Sequence, residues 1–247
     1  LVSKRILVLF LKNSPLWWRV FFMRYLSYTS GMVYLIIFSG LGLIIGSFLN
    51  VVLFRSERDM SFVSGRSQCL SCKKIISWYD NIPLLSYLIL GGPCRHCKAR
   101  ISWQYPLVEF TTGLLFCLTG YTFFDPLHNQ AIMETVWVLG LAIFLTLIVV
   151  TDFRSMEIPL WYLIGANLLT IGYLVTQYFF FEIQAPFLDT RLVGSLIGGV
   201  VAWVFFFALV YFSKETWMGW GDVWLGLLGG LVVGFSSVLP MLTLSFA

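Results

Sequence analysis

The chain has 247 residues, of which 59% are hydrophobic and 11% charged, with a net charge of +4 at neutral pH. An average soluble domain is about 45–50% apolar and about 25% charged, so an ordinary soluble domain and a disordered chain are both excluded. An apolar excess of this size belongs in a bilayer, and the few polar residues become the informative ones.

The first thirty residues carry Lys4, Arg5, Lys12, Arg19 and Arg24. Arg5, Lys12 and Arg19 recur every seven residues, which on a helix sets them on nearly one face, opposite Ile6, Leu9, Phe10 and Leu16. Residues 1–30 therefore read as a basic amphipathic segment lying in the interface and interrupted at Pro15, in preference to a spanning one. Apolar runs near the roughly 20 residues needed to cross a bilayer follow at 31–54, 106–124, 135–151, 158–181, 192–212 and 223–247, the second carrying one carboxylate, Glu109. They are too many and too long for a cleaved signal peptide. The expected fold is an all-α polytopic membrane protein with six or more transmembrane helices. Residues 31–54 form the first of these and 105–247 a membrane domain that continues past Ala247.

Residues 55–104 are the one long polar segment and hold eight basic residues, Arg55, Arg58, Arg66, Lys73, Lys74, Arg95, Lys98 and Arg100. Basic loops resist translocation, so this insertion is expected in the cytoplasm. Counting crossings from it places 125–131 and 182–190, which lack Lys and Arg, outside, and 152–157 and 213–222, with Arg154 and Lys214, inside.

Within the insertion, Cys69-Leu-Ser-Cys72 and Cys94-Arg-His-Cys97 form two C-x2-C pairs separated by 21 residues. The spacing suits a tetrahedral zinc ribbon. A shift of 25 positions repeats the pattern: Cys69, Cys72, Lys73, Ile76, Ser77 and Trp78 recur as Cys94, Cys97, Lys98, Ile101, Ser102 and Trp103. The loop is an internal duplication in which each half supplies two thiolates, each Lys offsets anionic sulfur, and each Ile and Trp is expected to cover the site. So small a domain needs a staple. Two disulfides or four free thiols are the alternatives, and a reducing cytoplasm disfavours the first. His96 reads as a bystander and Cys117 as simple packing.

Two carboxylates end or open apolar runs on the same expected side, Asp152 after 145–151 and Asp222 after Met218-Gly219-Trp220-Gly221. Each alone reads as an interfacial helix cap. Together they could share one proton around one water, general base beside general acid, as in aspartic proteases. Gly219 and Gly221 would then admit a substrate backbone and a tight turn. A cation site or a transport path fits the two acids equally.

From about Gly40 to Gly234 the ordered motifs resemble a known family, the bacterial type IV prepilin peptidases of the GxGD aspartyl protease group. They are Gly46-Ser-Phe-Leu-Asn50-Val-Val, the double C-x2-C, Asp80-Asn-Ile-Pro83-Leu-Leu-Ser86-Tyr, Tyr105-Pro106-Leu-Val-Glu109, Asp152 followed by Ile158-Pro159, and Gly219-Trp-Gly221-Asp222. The resemblance implies cleavage of the short basic leader of prepilins or pseudopilins at the cytoplasmic face of the inner membrane, after a glycine and commonly before a phenylalanine. It makes Asp152 and Asp222 the catalytic pair. It also implies methylation of the new N-terminal amine from S-adenosylmethionine, with 55–104 as the zinc-binding, methyltransferase-associated domain. No glycine-rich dinucleotide fingerprint marks the methyl-donor site, for which Glu57 and Glu109 are the acidic candidates. The chain departs from the family pattern at Leu160 (commonly Asp or Asn), at Trp224 (commonly Lys) and at Ser56-Glu57 (commonly Leu-Pro).

Beside this reading stand a zinc-dependent membrane scaffold, which needs neither same-side aspartates nor the glycines, and an acidic-site ion transporter, which should show inverted repeats in the membrane. Nothing in the chain points to a nucleic acid partner. The sequence leaves the oligomeric state open.

Overall fold

The computed structural model describes residues 16–56, 61, 67–184, 186–187 and 190–246, with side chains from position 32 onward. Among them the chain is helical, with only two isolated β-bridges in the insertion. Helix α1 spans Leu16–Ser56, and a 3-10 turn at Trp78–Asn81 and short α2 (Leu85–Leu90) lie in the insertion. The rest is α3 (Gln104–Phe123), α4 (Asn129–Ser155), α5 (Leu160–Gln177), α6 (Arg191–Ser213), α7 (Trp220–Val233) and α8 (Val238–Leu244).

α1 runs without a break through position 31, where the sequence suggests a change from interfacial to spanning helix. Lys4, Arg5, Lys12 and Pro15 lie outside the described residues, as do the side chains of Arg19 and Arg24.

Among the described residues, four helices are long and apolar enough to cross a membrane, and a fifth span results if α7 and α8 are taken together. Only 33% to 39% of each of the four is buried within the protein, which leaves broad apolar faces for lipid. At the expected crossing 106–124 the chain forms helix α3, packed along α1, but Glu109 and four threonines make it less apolar and it is not among these spans. The expected crossing at 223–247 is a correction to the sequence reading. α7 ends at Val233 and the chain turns through 113° before α8. Gly234 makes that turn with φ +74°, a conformation that disfavours side chains with a Cβ.

Small residues set the closest helix contacts. A Cβ on Gly42 would stand 2.7 Å from the Thr112 carbonyl oxygen, and one on Gly46 would stand 2.8 Å from the Glu109 Cα, so α1 and α3 meet backbone to backbone. Gly194 and Gly198 lie one turn apart on α6, and Gly194 faces open space. Gly198 packs against Gly230 and the Gly234 turn. Because the atoms opposing Gly230 are backbone, they cannot rotate aside. Gly230→Leu should therefore cost about 2–3 kcal/mol, measured as a lower unfolding midpoint in detergent. Gly194→Leu at the open position should leave the midpoint nearly unchanged.

The apolar cluster that positions the site joins Leu49, Val52 and Leu53 of α1, Val108 of α3, Leu147 and Ile148 of α4, and Tyr162 and Leu163 of α5, with Trp224 and Leu225 of α7 against it. Five helices thus converge at one end of the bundle. At the opposite end Arg191 reaches Glu134 at 3.4 Å and lies over Trp137 and Tyr173, whose rings stack at 4.3 Å. Arg191, which opens α6 at that end, is therefore neutralised by its own ion pair.

Candidate active site and metal centre

Asp152 sits in the last turn of α4 and is exposed. Met156 closes that helix in the left-handed conformation, its N–H donating to the Asp152 carbonyl oxygen at 3.0 Å. Pro159 then caps the start of α5, so the chain turns back beside itself within four residues. Leu163, one turn into α5, is the nearest neighbour a Cβ on Gly221 would meet, at 3.9 Å. The last turn of α4 and the first turn of α7 therefore both neighbour the start of α5, which puts both aspartates at the same end of the bundle.

Asp222 is the third residue of α7. Its Oδ2 accepts the Gly219 N–H at 3.0 Å while the Asp222 N–H donates to the Gly219 carbonyl oxygen at 3.1 Å. One carboxylate oxygen thus caps the helix, and capping is compatible with chemistry at the other. The segment before it is strained: Lys214 and Glu215 both take positive φ, 50° and 64°. Glu215 holds the turn through Oε1, which accepts the Trp220 indole N–H at 2.7 Å.

The two glycines have a different basis from the one expected. Gly219 has φ −90° and ψ 167°, an extended backbone open to any residue, and Gly221 is helical, so neither is needed for a tight turn. What they leave is room. A Cβ on Gly219 would meet nothing within 4 Å, and one on Gly221 only Leu163. Leu160 is half exposed at the start of α5, and Trp224 packs into the apolar cluster while its carbonyl accepts from Asn167 Nδ2 at 3.2 Å.

The sequence duplication in the insertion is a structural duplication. The Cys69 N–H donates to the Lys74 carbonyl at 2.9 Å, as Cys94 does to Ala99 at 2.8 Å. Lys73 donates back to Cys69 at 2.9 Å, as Lys98 does to Cys94 at 3.0 Å. Lys73 and Lys98 turn with φ 60° and 58°, and the bridges Gln68–Ile75 and Pro93–Arg100 close the two knuckles. The knuckles face a common centre where the four Sγ atoms of Cys69, Cys72, Cys94 and Cys97 lie within 4.8 Å of one another.

Cys69 and Cys97 Sγ are 3.7 Å apart, close to the ~3.8 Å edge of a tetrahedron with zinc–sulfur bonds of about 2.3 Å. All four cysteines are free thiols, not disulfides. The Cys72 backbone N–H draws the Cys69 thiol down to about 6. The Ala99 N–H also favours the Cys97 thiolate, but burial and the hydrogen bonds shared with Cys69, Cys72 and Cys94 outweigh it and push that thiol up to about 11. Four thiolates at this spacing need a cation, and a soft divalent ion suits the donor set.

The tryptophans of the repeat do not cover the centre. Trp78 and Trp103 are 75% and 78% exposed, against the expectation that they shield it, while Ile76 and Ile101 are half-buried. Trp103 precedes α3 directly, where a membrane interface favours an indole. Asp80 and Arg95 tie the 3-10 turn to the second knuckle through Oδ1 and Nη2 at 2.6 Å. Arg95 holds the Asp80 carboxyl below the usual carboxylate range. The pair therefore stabilises the insertion above the unfolded-state value of about 3.9, and that contribution is lost as pH falls through the lower folded value.

Glu109 lies buried on α3, where its Oε2 accepts the Leu84 N–H at 2.8 Å and fixes a residue with φ 58° ahead of α2. The second acidic candidate, Glu57, lies outside the described residues. Gln104, at the start of α3, accepts from Arg154 Nη1 at 3.0 Å, so the end of α4 that bears Asp152 is bonded to the helix that bears Glu109. Sequence reasoning does not connect these elements, since Gln104 and Arg154 are fifty positions apart.

Two family profiles match the chain: the bacterial peptidase A24 N-terminal domain over residues 41–123 and the type IV leader peptidase family over 139–247. The prepilin leader peptidase/N-methyltransferase of Vibrio cholerae is 36% identical to it, over 86% of this chain and 83% of that protein. The chain belongs to the type IV leader peptidase family. Proteins of the same name from Pectobacterium carotovorum and Klebsiella pneumoniae are each 31% identical, covering 83% of this chain and 76% and 87% of their own lengths. No solved structure matches the chain significantly. Within this leader peptidase, the N-terminal profile covers α1 from Leu41, the four-cysteine insertion and α3. The C-terminal profile covers both aspartates.

Proposed function

We propose that this leader peptidase cleaves the leader peptide of prepilins or pseudopilins with Asp152 and Asp222 as its acid–base pair, and then methylates the exposed N-terminal amine. The observation that carries the reading is the placement of both aspartates at one end of the bundle, each on a helix end that neighbours the start of α5. The relatives, prepilin leader peptidase/N-methyltransferases, supply the substrate class and the second activity. One ionised aspartate takes a proton from a shared water as it attacks the scissile carbonyl, and the protonated partner donates to the developing oxyanion. No covalent enzyme intermediate is required. The open space at Gly219 and Gly221 admits an extended substrate strand to that water.

The four-cysteine centre is assigned a structural zinc ion held by Cys69, Cys72, Cys94 and Cys97. Bound there, the ion supplies charge for four thiolates and locks the two knuckles together. The methyl donor is S-adenosylmethionine, which supplies an electrophilic methyl group. A scaffold has no use for paired aspartates, and the clear internal repeat lies in the insertion and not among the spans.

The module and both aspartates are assigned to the cytoplasmic side of the inner membrane. Counting crossings from the basic insertion, with α3 taken as one of them, puts the α4–α5 turn and the α6–α7 turn on the side with the basic excess, which supports the assignment. A membrane-impermeant maleimide added to intact cells, read by peptide mass, should modify Asn129→Cys and spare Ser61→Cys. Modification of both from outside would break the assignment. The activity itself is tested by co-expression with a prepilin and mass spectrometry of the pilin N-terminus. Leader loss plus one methyl group is expected, and an unprocessed pilin beside well-expressed enzyme would overturn the reading.

A further inference from the structure

Short helix α2 leaves an apolar face uncovered. Leu85, Leu88 and Ile89 recur at the three- and four-residue spacing of one helix face and are 50%, 74% and 70% exposed. The other side of the helix is packed: Ser86 is buried with its hydroxyl donating to the Ile82 carbonyl at 2.8 Å, and the Tyr87 ring lies 5.6 Å from that of Trp103. The bond from the Leu84 N–H to Glu109, at 2.8 Å, sets the level of this face. Glu109 lies five residues past the start of α3 at Gln104, about 7 Å along its axis. α2 therefore begins beside the second turn of α3 and not beyond its end. At that level α3 turns Leu107 and Phe110 outward, both exposed, while its opposite side packs on the spanning helix α1. The uncovered face of α2 thus stands level with outward apolar side chains of the bundle.

We infer that α2 anchors the four-cysteine module in the interface of an anionic bilayer, with Leu85, Leu88 and Ile89 seated at the boundary of headgroups and acyl chains. Residues 67–104 carry Lys73, Lys74, Arg95, Lys98 and Arg100 against one acid, Asp80, and all five basic side chains are exposed. A zinc ion among four thiolates adds a net charge of about −2, which leaves the module cationic. Anionic headgroups attract such a surface, whereas a second copy of the module, or the basic leader of a pilin, is repelled by it. Trp78 and Trp103, exposed on the same module, suit the headgroup level. α2 has six residues, about 9 Å of helix, too few to cross a bilayer and enough to lie at its surface. Through the bond between Gln104 and Arg154 the anchored module also stays level with the end of α4 that bears Asp152.

The test uses the whole protein in phosphatidylglycerol nanodiscs that contain a phospholipid with a diazirine near the top of its acyl chain. Photolysis should label residues 84–90 of the unaltered chain together with the reference segment 105–111. Absence of label from 84–90 would overturn the anchor. Leu88→Asn with Ile89→Asn should lower the label at 84–90 by about fivefold or more and leave that at 105–111 unchanged. Both positions are exposed, so the module keeps its fold, and unchanged zinc content checks this. Undiminished label at 84–90 in that variant would count against insertion of this face. Phosphatidylcholine in place of phosphatidylglycerol should lower the label at 84–90 several-fold, and equal labelling in the two lipids would overturn the preference for anionic headgroups. A benzoylphenylalanine replacing Leu88, photolysed in cells that co-express a prepilin, should form lipid adducts. A cross-link to the pilin or to a second copy of the chain would make the face a protein-docking site and overturn the inference.

Discussion

Asp152→Asn and Asp222→Asn should each abolish prepilin cleavage, lowering the rate by about 10²–10⁴-fold, while leaving a folded, inserted protein. Asn is close to Asp in size, and at position 222 its amide oxygen can still accept the Gly219 N–H that the carboxylate now holds at 3.0 Å. Asp152 is exposed and its carbonyl, not its side chain, closes α4, so the helix end survives substitution. Neither variant removes a buried contact. The loss therefore reports chemistry, since one carboxylate cannot serve as both base and acid. Methylation of a pre-cleaved pilin should persist in both variants, because that step does not use the paired aspartates. Substantial cleavage by either variant, with insertion confirmed, would falsify the diaspartyl assignment.

The second large effect concerns metal. Purified protein should carry about one zinc per chain, and Cys97→Ser should release it and loosen the insertion far more than the membrane helices. The knuckles make few hydrophobic contacts: Cys97 is exposed, and Leu70, Ile75, Trp78 and Trp103 are all exposed. A module with so little core is held by its ligands, so binding energy there is folding energy. Proteolysis within 67–103 is the readout. Rapid cutting in the Ser variant or after strong chelation, with α4 to α7 resistant, is the expected result. Stoichiometric disulfides without metal in a reduced, unchelated preparation would refute it.

The four cysteines are legible because metal ligation is written in spacing, and the 25-residue repeat doubles the signal. Asp152 and Asp222 stand out because acids at the ends of apolar runs are rare, and both fall at the same end of the bundle, where a crossing count expects them. The broken last span is not. Hydropathy averages over Gly234, and a positive φ at a single residue leaves no trace in composition. The exposure of Trp78 and Trp103 escapes the sequence because a tryptophan beside a metal motif fits a lid as readily as an interfacial anchor. Asn50 carries a signal of its own, as a polar side chain in the middle of an apolar run, but that its oxygen is buried without a partner shows only in the packed structure.

The two knuckles have a consequence for assembly. Each is the same unit turned toward a shared centre, and each contributes two of the four sulfurs. Within one chain the set is closed, so the module has no free valence with which to recruit another molecule. Excision of either half would leave a bidentate fragment that completes a tetrahedron only against a second chain, and a metal-dependent contact between chains would replace one within the chain. Tandem duplication thus acts here as an intramolecular substitute for oligomerisation.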